Sequence, residues 1–383
     1  MNQAQSESRQ GTAPGALCLW NGLTVSSLVK LLALRPAVDW KHSGRLASIA
    51  GMSVSNSASA ALERLIYNRR IRETQLVAPP VFVLGHWRSG TTLLHNLLTL
   101  DPQTTYCNLY HVLFPGSFLL TEKVVTRLTT RLIPATRPMD RMPLTWDHPQ
   151  EDETALMLRT LLSPYLMVAF QNDPKVYERF FSLQDASGKE REQWKQALLH
   201  FLKKLTFRDP KRLVLKSPAH TFRIPLLLEL FPDAKFVFIA RNPYKVFSST
   251  MHLRRTMFTN NALATPDLSG IENQTLSVYR GLFETYEQDR HLIPEGNLHE
   301  LRFEELEADP LGQLARLYDA LTLPDFKRLE PRIRTSLFEH RAHRKNAYSL
   351  EASLKERIDK QWKPAFERFN YAQTLPEPGV HTA

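Results

Sequence analysis

The stretch PPVFVLGHWRSGTTLLHNLL, beginning at Pro79, carries the densest set of groups able to hold an anion. An apolar run from Val81 to Leu84 leads into Gly85, four intervening residues and Gly90, then into Thr91 and Thr92. Two glycines at that spacing permit a tight turn whose amides wrap a phosphate at the start of the next helix. The backbone of Ser89, Gly90, Thr91 and Thr92 would form the cradle, with Ser89, Thr91 and Thr92 adding hydroxyls. An ordinary strand-turn-helix corner is the competing reading, and the density of Ser, Gly and Thr after an apolar run weighs against it. A nucleoside triphosphatase places Lys directly after the second glycine to reach the terminal phosphates. Here that position is Thr91, and the loop's own cation is Arg88. With no strand-terminal Asp to complete a magnesium site either, the expected ligand is an anion handled without a metal.

Two more apolar runs end in a cation: RLVLKSP in Lys216 and KFVFIARNP in Arg241. In an open parallel sheet, ligands gather beyond the carboxyl ends of the strands. If the three strands are neighbours, Arg88, Lys216 and Arg241 converge on one crevice that suits a polyanion. Arg241 alone would be read as a surface cation, but Ser249 stands about two helical turns further on and can share its ligand.

Short buried runs, each followed by a turn signal and helical spacing, are the signature of an α/β fold with a parallel sheet. A fourth run, LHELRFEELEADP from Leu298, reads as a strand entering a turn and the helix LGQLARLYDALTL. Residues 1–15 are small and polar and read as a disordered tail. Residues 16–78 form a helical extension containing LTVSSLVKLLALRP and SNSASAALERLIYNRRIRETQ, the latter with Ser and Asn as caps. Residues 79–383 form one elaborated α/β domain with a helical section at about 103–210, including ETALMLRTLL and REQWKQALLHFLKKL. The tail SLEASLKERIDKQWKPAFERFN reads as an amphipathic helix broken by Pro364.

The 383 residues, 43% of them hydrophobic, are enough for a substantial core. A net charge of +10 favours an anionic partner. Basic residues are interspersed with acidic ones, which argues against a nucleic-acid partner. The two cysteines lack metal-ligand spacing, and no signal peptide or membrane-spanning run is visible; a cytoplasmic protein is expected. The basic end of the second helix, with Arg69, Arg70 and Arg72, leaves peripheral membrane contact open.

GHWRSGTTLLHNLL resembles the 5′-phosphosulfate loop of sulfotransferases that use 3′-phosphoadenosine 5′-phosphosulfate (PAPS). FVFIARNPYKVFSS is similar to their 3′-phosphate motif, and LHELRFEELEADP to a block in their last third. The likeness spans about Pro79 to Pro310. It is nearest to the bacterial group, with LVLKSPAH similar to tyrosylprotein sulfotransferases. It implies PAPS as co-substrate, no metal, and a small-molecule, lipid or saccharide acceptor bearing a hydroxyl or amine. Arg88 would contact the phosphosulfate, and Lys216 the bridging oxygen or sulfuryl group. Arg241 and Ser249, with the amides of the helix after Asn242-Pro243, would hold the 3′-phosphate. Arg341, Arg344 and Lys345 stand where related enzymes bring a basic loop over that phosphate.

The base departs from the family pattern. Cytosolic relatives have His two residues after the Lys; this chain has Pro218 there and His at position 220. HPQEDETALML supplies Glu151, Asp152 and Glu153 at a helix start. Glu151 or Glu153 is the preferred base, His220 the next, while His148 and His95 suit structural roles better. Crowding should raise these carboxyl pKa values and the helix N-terminus lower them, leaving the sign open. The rivals are a metal-dependent nucleotide kinase and a non-catalytic anion- or membrane-surface-binding protein. Tighter binding of ATP with magnesium than of adenosine 3′,5′-bisphosphate would favour the first, and co-sedimentation with liposomes or DNA the second.

Overall fold

The computed structural model of the chain describes residues 18–134, 136, 144–339 and 350–373. Five strands, β1 (Val81–Leu84), β2 (Thr104–Thr105), β3 (Arg212–Lys216), β4 (Lys235–Ala240) and β5 (Leu298–Arg302), form one sheet in the order β2-β3-β1-β4-β5. Every pairing is parallel. Phe82 lies opposite Leu215 on one side and Phe236 on the other, so β1, β3 and β4 end at nearly the same level. That register brings the loops after three strands to one edge.

Each face of the sheet has its own residues, as a two-residue period requires. Val81, Val83, Val214, Val237 and Ile239 join one cluster; Phe82, Leu84, Leu215, Phe236 and Phe238 join the other. Both faces are therefore apolar, the condition for a parallel sheet covered on both sides.

The helices before β1 are α1 (Val25–Ala33) and α2 (Ser43–Glu73); α3 (Thr91–Leu98) follows the first loop. The central section contains α4 (Leu109–Leu113), α5 (Phe118–Thr129), α6 (Asp152–Thr160) and α7 (Gly188–Arg208). Next come α8 (Ile224–Leu230), α9 (Pro243–Asn261) and α10 (Ile271–Asp289). Beyond β5 lie α11 (Phe303–Ala308), α12 (Pro310–Ala320), α13 (Phe326–Glu339), α14 (Ala352–Gln361) and α15 (Lys363–Arg368). The last two divide at Trp362, with Pro364 in the first turn of α15 where its missing N–H costs nothing.

Two expectations needed revision. Strand β2 was not foreseen, because two residues carry no readable period. Helix α2 starts at Ser43, about three turns before Ser55 and Asn56, the caps its sequence suggests. Asn56 instead donates to the carbonyls of Asn21 and Leu23, fastening the segment before α1.

The N-terminal helices are tied to the sheet domain at polar points. Trp20 Nε1 and the Leu19 amide both bond Asn261, at 2.8 Å each. The Asp39 carboxylate accepts from the Thr265 amide and hydroxyl at 2.7 Å. Lys204 on α7 meets Glu63 on α2 in a buried ion pair and also donates to the Pro115 carbonyl.

Candidate active site

The loop between β1 and α3 has the conformation its glycines permit. Gly85 and Gly90 have φ of 134° and 105°, and Arg88 takes the left-handed region at φ 70°. A Cβ on Gly85 would lie 2.6 Å from the Ile239 carbonyl oxygen, and one on Gly90 would overlap the Phe303 ring. The Ser89 hydroxyl donates to the His86 carbonyl, and the Gly85 amide donates to Thr221 Oγ1, so the loop is held from within and from the β3 side. Helix α3 has Gly90 at its N-cap and no capping side chain, leaving its first-turn amides without one. Thr91 is buried and Thr92 half-buried in that first turn.

The Arg88 Nε donates to Ser249 Oγ on α9 at 2.8 Å. Arg241 Nη1 donates to the Arg88 carbonyl at 3.1 Å, and its guanidinium lies 4.1 Å from the Phe303 ring centroid. The glycine at position 90 therefore makes room for the ring on which Arg241 rests. Burial depresses the Arg241 guanidinium from its usual value, Glu304 opposes that and Arg88 adds to it. A desolvated cation beside a second one has most to gain from an anion. The structure thus gathers Arg88, Arg241 and Ser249 in one place.

One expectation at this point is corrected. The Asn242 side chain already accepts from the Tyr244 and Lys245 amides, and Pro243 has no N–H. The helix amides expected to bind the 3′-phosphate are occupied by their own cap. The side chains of Arg241 and Ser249 both lie against Arg88 at this point.

The acidic run Glu151-Asp152-Glu153 lies against the segment Lys216 to Arg223, and each carboxylate takes a different partner. Lys216 Nζ meets Glu151 Oε1 at 2.6 Å, His220 Nε2 meets Asp152 Oδ2 at 2.6 Å, and Arg223 Nη1 meets Glu153 Oε2 at 2.6 Å. A basic group therefore faces each of these acids. Burial works to raise the Asp152 carboxyl, but the neighbouring His220 and then Arg223 hold it below its ordinary value.

Only one of the three carboxylates reaches solvent. The Asp152, His220, Glu153 and Arg223 side chains are fully buried, whereas the Glu151 side chain is 21% exposed. Arg223 grips Glu153 with two nitrogens and gives its other donors to the Phe180 and Phe181 carbonyls. Glu153 and His220 thus lie inside the core, each against its own partner, while Glu151 lies at the surface of the run. His95 is also buried, its Nε2 against the Val214 carbonyl, and burial pulls it down to about 3. Arg341, Arg344 and Lys345 lie outside the described residues.

Glu151 has a second partner that sequence reasoning missed. The Tyr165 hydroxyl donates to Glu151 Oε2 and accepts from Trp87 Nε1 at 3.1 Å. Burial, and then the Glu151 charge, push the Tyr165 phenol well above its normal value, so it stays protonated as a donor. Trp87 belongs to the loop after β1 and Lys216 to the end of the adjacent strand. A hydrogen-bonded chain thus connects the loop to an ionisable carboxylate at the sheet's carboxyl edge.

Comparison with known proteins decides the family. Residues 79–328 match a model described as sulfotransferase family. The chain belongs to the sulfotransferase family. Its match to omega-hydroxy-beta-dihydromenaquinone-9 sulfotransferase Stf3 of Mycobacterium bovis is 38% identical over 371 residues, covering 97% of this sulfotransferase and 94% of the relative. The Mycobacterium tuberculosis protein of the same name matches equally well. The fold of this sulfotransferase is similar to that of sulfotransferase STF9 from Mycobacterium avium, with TM-score 0.70 and 20% identity over 91% of this chain and 93% of that one. Sulfotransferase STF1 from Mycobacterium tuberculosis gives TM-score 0.62 and 18% identity over 87% and 90%.

Proposed function

We propose that this sulfotransferase moves the sulfuryl group of PAPS to a hydroxyl of a lipid acceptor and releases adenosine 3′,5′-bisphosphate. The observation that carries the reading is the Lys216-Glu151 contact of 2.6 Å, beside a phosphate-type loop, with only the carboxylate end reaching solvent. Glu151 takes the proton from the acceptor hydroxyl, and Tyr165 fixes the orientation of its carboxylate. Lys216, held by that base, offsets charge appearing on the leaving phosphate. Arg88 and the first-turn amides of α3 hold the phosphosulfate, and Arg241 and Ser249 the 3′-phosphate. Position and charge stabilisation are the main demands of such a transfer, as they are for phosphoryl groups.

A lipid acceptor is supported by the name of the 38% identical relative, which refers to a hydroxylated dihydromenaquinone. The experiment pairs labelled PAPS with an omega-hydroxylated dihydromenaquinone and, separately, with soluble phenols and sugars. Label on the quinone-type lipid is the expected result; transfer only to a sugar or soluble phenol would reject the lipid assignment.

Donor recognition has its own test. Arg241→Ala is expected to weaken adenosine 3′,5′-bisphosphate binding by about 1.5–3 kcal/mol, the range for hydrogen bonds to charged groups. Calorimetric titration reads this directly, and an unchanged dissociation constant removes the 3′-phosphate role of Arg241.

A further inference from the structure

Helix α2 has an apolar side that none of the described residues covers. Ala47, Gly51, Val54, Ala58, Ala61 and Leu65 recur at helical spacing and are all exposed, a stripe about 27 Å long. Val54 is 63% exposed and Leu65 83%. The opposite side of the helix is the packed one: Ser53 and Ile71 are buried, Glu63 pairs with Lys204, and Tyr67 meets Phe207. Gly51 to Leu62 contains no charge, and the stripe runs on into Arg69 and Arg72.

Helix α1, which packs on α2, repeats the pattern. Its buried side is Ser27, Leu28 and Leu31, while Val25, Val29 and Leu32 face solvent at four- and three-residue spacing. The corner joining the two helices presents Trp40, 81% exposed, next to Lys41. Scattered exposed leucines need no explanation, but aligned apolar stripes on two packed helices do.

The geometry points to an anionic bilayer surface as the occupant of this side, and we propose that α1, α2 and the Trp40 corner form a peripheral membrane-docking face. Charge selects lipid over a second copy of the chain. Residues 18–73 contain eight Lys and Arg against three Asp and Glu, and one of those acids, Glu63, is neutralised inside the protein. Two such faces brought together would repel, whereas acidic headgroups complement them. An indole at the polar-apolar boundary next to a lysine suits the headgroup level. No helix among the described residues is long and apolar enough to cross a membrane, so the face lies on the bilayer. Helix α1 also packs against α6, whose N-cap is Glu151, so the lipid-facing elements adjoin the helix carrying the proposed base.

The test is flotation of the intact protein with phosphatidylglycerol-phosphatidylcholine vesicles and with phosphatidylcholine vesicles alone. Wild type is expected to float with the anionic vesicles, at least tenfold less with the neutral ones, and to be released by salt. The Val54→Glu/Leu65→Glu double variant should lose at least tenfold in anionic-vesicle partition while binding adenosine 3′,5′-bisphosphate as wild type does, which shows that it has folded. The proposal fails if wild type stays with the soluble fraction, or if the folded double variant floats equally well. It also fails if ultracentrifugation shows a dimer that the double variant dissolves without any change in flotation. Flotation requires no sulfuryl transfer, so its outcome is independent of the acceptor assignment.

Discussion

Glu151→Gln is expected to lose about 10²–10⁴ in turnover while binding adenosine 3′,5′-bisphosphate with wild-type affinity, the span associated with removing a positioned proton acceptor. The amide has almost the shape of the carboxylate and can still accept from Tyr165, but it cannot take up the acceptor's proton. The loss should appear in kcat, because the nucleotide contacts proposed for Arg88, Arg241 and Ser249 are untouched. Stability is expected to fall as well, because Lys216 is buried and the amide has a single oxygen for the two donors that the carboxylate satisfied. Steady-state assays with labelled PAPS, alongside calorimetry, separate the two quantities. Full activity in Glu151→Gln would rule the residue out as base.

The second large effect concerns the same acidic run and has the opposite character. Arg223→Ala is expected to destabilise the fold by about 3–5 kcal/mol, because it strands the Glu153 carboxylate inside the core. Glu153 and Arg223 are both fully buried, and the guanidinium also satisfies the Phe180 and Phe181 carbonyls. Glu153→Ala should act in the same direction by leaving the guanidinium without its anion. Denaturant midpoints measure the effect, and a change below about 1 kcal/mol would contradict the buried-pair account. Two carboxylates one residue apart on either side of Asp152 thus separate by assay, one in turnover as well as stability and the other in stability.

Local signals carried much of this architecture. Four of the five strands, the glycine-bounded loop and the Arg241/Ser249 spacing were legible because each is fixed within a dozen or so residues. The three strand-end cations were legible as a set because parallel register aligns strand ends. The roles within Glu151-Asp152-Glu153 were not, because partner choice depends on a segment far away in the chain. Asn242 was read as the start of a helix, and only the placed side chain shows that it fills the amides assigned to a ligand. Tyr165 and Phe303 gave no signal at all: an aromatic residue in a helical or strand-end context looks like core until its neighbours are known. The first turns of helix α2 are rich in Ser, Ala and Gly, whose spacing gives a weak apolar period and hides the true start of the helix.

The three acid-base contacts also constrain how the chain reaches its active form. They join residues 65, 68 and 70 positions apart, in matching order along the two segments. Closing one loop of that length has an entropic cost that grows only slowly with length. Once the first contact forms, the other two add almost no further closure cost and arrive as a zipper. Two of the pairs are interior and the third is the proposed proton acceptor with its lysine. The chemistry-bearing pair is therefore set in place by the same event that seals the core, and partly folded chains are expected to be catalytically silent.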